Sequence, residues 1–190
     1  SALAGAMGLG VGNIMGIAMG TSEAVGYVDK DKNVLGWINE LAFAPVDLCE
    51  NAMQDEWSTD IGVGCKYFSQ DAAPAAGIAL DETLSPAEKL KVVQALMEKD
   101  DPRAQAIFES IGAYLAYAVV LYSQFYDIEH MMMLGRVMSG KGGDTILRVC
   151  NEILADEYPA LAKKCEVSLP DEKTRRVGQS VAAASLPRIK

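Results

Sequence analysis

Apolar positions follow two rhythms along this chain. Before residue 40 they come in short runs separated by glycines and polar clusters, whereas from residue 86 onward they recur at three- and four-residue spacing. The run Ile14 to Met19 has strand length and no polar side chain, which predicts a buried strand. Gly20-Thr21-Ser22-Glu23 reads as a turn, followed by Ala24 to Val28, the polar stretch Asp29 to Asn33, and Val34 to Ile38. Together these predict an antiparallel three-strand meander joined by tight polar turns. Ahead of it, Ala2 to Met7 reads as the end of a helix broken by Gly8, Gly10 and Gly12.

Periodicity weakens from Ala44 to Asp81, where Gly, Pro, Asp and Cys are frequent, so this stretch (about 44–82) is expected to be an irregular functional excursion with one or two short helices around 66–73 and 75–80. Ser85 as N-cap and Pro86 behind it start a helix through Lys99. Asp101-Pro102 opens a longer helix on which Ile107, Ile111, Leu115, Ala118, Leu121 and Phe125 line one core face. A strand follows from His130 to Gly135, then a helix from Gly142 or Gly143 to Tyr158, a strand from Cys165 to Leu169, and a closing helix from Asp171 to Ser185 behind Pro170. Strands alternating with helices predict parallel strands added to the meander by right-handed crossovers, with the helices packed on the sheet. The resulting α/β order, βββαβαβα, is that of ribonuclease-H-like and actin-like ATPase domains.

Composition bears on function mainly by exclusion. Half of the 190 residues are apolar and 23% are charged, enough for one sizeable core and too few residues for two full domains. The net charge is −9, with only 17 Lys and Arg and the densest cluster at Lys173, Arg175 and Arg176, so a nucleic-acid surface on this chain is not expected. Cys49, Cys65, Cys150 and Cys165 form no C-x-x-C pair, and the single histidine, His130, has no Cys or His at ligand spacing. Zinc is therefore not expected; the cysteines read as small buried thiols, and the location as cytoplasmic. Glycines interrupt the apolar opening up to Gly20, which argues against a signal peptide or membrane span.

Local strings then sharpen the picture. Ile17-Ala-Met-Gly-Thr21, Asn39-Glu-Leu-Ala-Phe43, Gly62-Val-Gly-Cys-Lys66, Met133-Leu-Gly135 with Ser139, and Val177-Gly-Gln-Ser-Val-Ala-Ala183 resemble, in order and spacing, the C-terminal half of the ROK family of bacterial sugar kinases and repressors. The resemblance implies that residues 1–190 form the C-terminal lobe of a two-lobe protein, with ATP and Mg²⁺ as cofactors and a sugar or polyol as substrate. The missing N-terminal lobe is the implied partner, and an isolated lobe invites a homodimer. Gly20 and Thr21 fall at a phosphate corner, where glycine backbone lets N–H groups approach an anion and the Thr hydroxyl adds a neutral donor. That corner could equally be a plain hairpin turn. Glu23, close by, would bring a repelling charge. Gly135 and Ser139 fall in the adenosine motif. Gly140 and Gly142 lead into a helix N-terminus where an anion could sit.

Glu40 matches the family's sugar-binding glutamate, while the family's histidine falls on Phe43 and its second glutamate on Tyr67, so the sugar pocket is expected to be more apolar. A solvated surface Glu is the plainer reading of residue 40. Of the family's zinc cysteines only Cys65 remains, and the general base is expected upstream of Ser1, so this chain alone is expected to be inactive. Trp37 and Trp57 read as packing anchors, and Met131 to Met133 as strand core. Asp29/Asp31 and Asp100/Asp101 read as turn and cap charges. The leading expectation is one lobe of an ATP-dependent sugar kinase. The alternatives are a non-catalytic sugar sensor or transcriptional regulator, and a lobe serving oligomerisation only.

Overall fold

The computed structural model describes residues 10–34, 40–75 and 78–170, with the side chains of 73–75 left aside. The apolar run becomes strand β1, Ile14–Met19, and β1 is the hub of a four-stranded sheet of order β2-β1-β3-β4. Strand β2, Glu23–Val28, runs antiparallel to β1, with Val28 opposite Ile14 and Glu23 opposite Met19. Strand β3, His130–Leu134, lies parallel to β1 on its other side, and β4, Glu166–Ser168, lies parallel to β3. Val34 bridges antiparallel to Val28, where the third meander strand was expected to begin. The rest of that strand, Trp37 with it, lies outside the described residues, as do the opening helix, the string Val177–Ala183 and the closing helix.

Alternation along β1 and β3 builds the core. Met15, Ile17, Met19, Met131 and Met133 face one way and join the helices in one large buried cluster. Ile14, Val28 and Met132 face the other way in a small second cluster. The methionine run is thus strand core, as its apolar composition implies, and its unbranched side chains fill the uneven gap beneath the helices.

The helices are α1 (Gly64–Tyr67), α2 (Pro86–Met97), α3 (Pro102–Tyr122), α4 (Gly140–Glu157) and α5 (Pro159–Lys164), with single 3₁₀ turns at Leu41–Phe43 and Gln70–Ala75. At the start of α2 the Glu88 carboxylate accepts from the Ser85 N–H at 2.9 Å, a capping box. Asp101 caps α3 by accepting from the Arg103 N–H at 2.9 Å. Asp29 accepts from the N–H groups of Asp31 and Asn33 and so closes the turn after β2. These acids serve as turn and cap groups, as read from sequence.

Helix α3 is the core helix, long and apolar enough by length and composition to cross a membrane, yet half of its most apolar stretch is buried inside the fold. It packs closely on α4 because glycines remove side chains at the crossing. A Cβ on Gly112 would lie 2.8 Å from the Ile146 carbonyl oxygen, and one on Gly142 would lie 2.6 Å from the Phe108 ring. Among the sequence expectations corrected here is Phe125, which lies past the end of α3 and is 70% exposed instead of lining its core face. Helix α5 was not foreseen; Cys49 is exposed rather than a buried thiol; and Trp57 is 84% exposed, its ring resting at 5.9 Å from Phe43 rather than anchoring the core.

Candidate functional site

Parallel pairing of β1 with β3 brings their C-terminal ends side by side, with Ala18 opposite Leu134. In open α/β sheets that edge is where ligands sit. The Gly20–Ser22 corner leaves β1 there, and Gly135 leaves β3. Gly135 has φ +102°, and a Cβ on it would collide with the Met19 backbone, so only glycine allows the two strand ends to close up. Thr21, Gly135, Ser139 and Gly140 are all exposed along this edge. The Gly20 N–H donates to the Ser22 carbonyl at 3.1 Å, and the Gly20 carbonyl accepts from the Gln70 N–H at 2.9 Å, which ties the corner to the excursion. Four of the six expected phosphate-side residues are thus exposed, and Gly20 is half-buried.

Gly142, the sixth, is buried under Phe108, one turn inside α4. The start of α4 also carries its own anion. Glu98, at the end of α2, accepts from the Lys141 N–H at 3.3 Å, while Lys141 Nζ pairs with Asp100. A carboxylate at a helix N-terminus is favourable, and it competes for the place a phosphate would take. The α4 terminus admits a further anion only if Glu98 moves aside. Glu23 departs from its expected role: it opens β2 with its side chain buried, and desolvation pushes its pKa up to about 8, so well below that pH it is mostly neutral.

Glu40 precedes the 3₁₀ turn and is exposed; its carbonyl accepts from the Phe43 N–H at 3.1 Å. The Phe43 ring, three residues on, lies 5.9 Å from that of Trp57 between centroids. Tyr67 does not join them. Its hydroxyl donates to Asp47 Oδ2 at 2.6 Å, and Tyr114 from α3 donates to the same oxygen at 2.8 Å. The Tyr67 hydroxyl also accepts from the Met53 N–H at 3.1 Å. Partial burial disfavours the Asp47 charge, but the Tyr67, Cys49 and Tyr114 donors outweigh it and hold its pKa near 2.

Asp47, Tyr67 and Tyr114 line a cavity of about 260 Å³ floored by Ile107 and Ile111. Because Asp47 and Tyr67 satisfy each other and their neighbours, this constellation stitches the excursion to α3. Sequence reading missed it: the partners lie 20 and 67 residues apart, with no local signal joining them. Beside it, buried Lys66 holds Glu56 at 2.8 Å and Asp71 at 3.1 Å. Burial works against its ammonium, but both acids outweigh that and keep its pKa above the ordinary lysine value. Among the described residues no three His, Cys, Asp or Glu side chains gather as metal ligands would.

No protein-family model matches the sequence, and neither does any curated protein. Solved structures do match in fold. A ROK family transcriptional regulator, a homologue of the E. coli MLC protein, superposes with TM-score 0.69 at 18% identity, covering 95% of this chain and 50% of its own. A ROK family glucokinase from Streptomyces griseus, in complex with glucose and AMPPNP, gives 0.67 at 16% identity, covering 95% and 65%. A ROK family protein from Streptococcus pneumoniae in complex with sucrose gives 0.68 at 9% identity, covering 95% and 63%. The chain therefore shares the α/β fold of these ROK family structures, and it spans between half and two thirds of their length.

Proposed function

We propose that this chain is the C-terminal lobe of an ATP-dependent sugar kinase, which with Mg²⁺ transfers the γ-phosphate of ATP to a sugar hydroxyl. The observation that supports it is the shared edge of β1 and β3, with Thr21 exposed just beyond the end of β1 and Gly135, Ser139 and Gly140 exposed beyond the end of β3. Transfer depends on positioning and on charge stabilisation around the phosphoryl group. On this reading the corner's backbone and the Thr21 hydroxyl hold phosphate oxygens, ATP·Mg²⁺ supplies the phosphoryl group, and Glu40 accepts sugar hydroxyl hydrogen bonds. On the same reading the Phe43–Trp57 ring pair offers an apolar face suited to the C–H side of a sugar ring. The residue that activates the sugar hydroxyl belongs to the part of the fold beyond this chain, so the lobe alone does not catalyse transfer. On this reading the protein works in a reducing, cytoplasmic compartment, where ATP is available.

One observation favours a second reading, a sugar sensor or regulator without catalysis. Glu98 already occupies the N-terminus of α4, and a protein that had stopped binding nucleotide would keep that contact. Calorimetric titration of the intact protein with ATP·Mg²⁺ separates the two. Saturable binding that Thr21→Ala weakens supports the kinase; no binding beside intact sugar binding supports the sensor.

A further inference from the structure

Glu23 is used by neither reading, and its surroundings are unusual. The residue is 6% exposed, both carboxyl oxygens are buried without a hydrogen-bond partner, and so is the Tyr122 hydroxyl. The carboxyl presses on Gly64, the first residue of α1, where any Cβ would collide with it. We propose that Glu23 is a proton-binding site built into the joint between β2, α1 and α3: the protonated acid fits that joint, and losing the proton forces it open.

Every element packed around the site withholds a counter-charge. From α3, Tyr122 faces the carboxyl and eases its ionisation slightly without completing a hydrogen bond, with Tyr126 beyond it. From α1, Cys65 faces it as a neutral thiol, its own pKa pushed up to about 11 by desolvation and by the acids Asp55 and Glu23. The adjacent cation, Lys66, is committed to Glu56 and Asp71. From β1, the residue opposite is apolar Met19. A carboxylate in such a place is neutralised or expelled.

Expulsion has a defined route. Gly64 donates to the Ala44 carbonyl at 3.0 Å, and Gln70 holds the Gly20 carbonyl, so a carboxylate swinging outward pushes on the excursion where it grips the Gly20–Ser22 corner. Desolvation raises the pKa from 4.5 in the unfolded chain to about 8 in the folded one. The folded state thus binds more protons between those values, and stability is full below the lower one and falls as pH rises through the window.

The inference rests on packing alone and stands whether or not the protein is a kinase. The test is urea unfolding of the full chain and of Glu23→Gln and Glu23→Leu at pH 6 and pH 8.5. The wild-type folding constant should drop roughly 50-fold more than that of either variant; equal drops overturn the proposal. Should neither variant fold, carboxyl ¹³C titration of the wild type decides: one glutamate titrating near pH 8 supports it, and all titrating below pH 6 overturns it. Limited proteolysis of residues 44–75 should be faster at pH 8.5 in wild type than in Glu23→Gln, and equal rates would contradict the opening of the joint.

Discussion

Single side chains show where sequence reading succeeds and fails. Glu40 stands exposed beside a turn, the solvated place its sequence suggests. Glu40→Gln should weaken sugar binding by the intact protein about 10- to 100-fold, since a charged acceptor of hydroxyl hydrogen bonds is worth roughly 1.5–3 kcal/mol. Unfolding should be unchanged, and calorimetry against the best sugar of a screen checks it; equal affinities would return Glu40 to an ordinary surface charge. Glu23 and Asp47 were illegible. A glutamate after a turn reads as solvated, and only tertiary packing buries it. Asp47 becomes a joint only when Tyr67 and Tyr114 arrive from elsewhere in the chain.

Asp47 has a testable pH consequence of the opposite sign to that of Glu23. Its pKa is depressed from 3.8 to about 2 in the fold, so its contribution is present above 3.8 and is lost as pH falls toward 2. Discounted for its partial exposure, that contribution is about 1–2 kcal/mol. Asp47→Asn should flatten the acid limb of a stability-against-pH curve measured by circular dichroism, and a limb as steep as wild type would remove Asp47 from the joint.

At the level of elements, those with strong local signals were legible within a few residues. β1 has its apolar run, α2 its capping box and Pro86, and α3 its Asp-Pro start and periodic face. Helix α5 was hidden because Tyr158, its N-cap, also ends α4, so the two ran together as one helix followed directly by a strand. What sequence could not supply was why certain glycines are there. Gly142 read as an anion-site residue, whereas in the fold it makes room for Phe108. Gly112→Ala, which would set a Cβ 2.8 Å from a backbone carbonyl oxygen, should destabilise the fold by about 1–3 kcal/mol. Gly142→Ala should cost less, because the Phe108 ring can tilt, and should leave ligand affinity unchanged. Denaturant midpoints and nucleotide titrations of both variants check this.

For the whole molecule, the fold was legible because the order of elements and the strings at strand ends agree, and the structure places those strand ends on one edge. One expectation about metal also belongs at this scale. The intact protein should contain no stoichiometric zinc, since Cys65 has neither thiol nor imidazole partners at tetrahedral spacing, and elemental analysis finding one zinc per chain would contradict that expectation. The central claim, that the β1–β3 edge serves phosphoryl transfer, is tested most directly by following phosphate transfer from ATP·Mg²⁺ to a panel of hexoses and polyols with the intact protein and its Thr21→Ala variant. The account predicts transfer to at least one of them, reduced in the variant. Sugar binding with neither transfer nor nucleotide binding would contradict it.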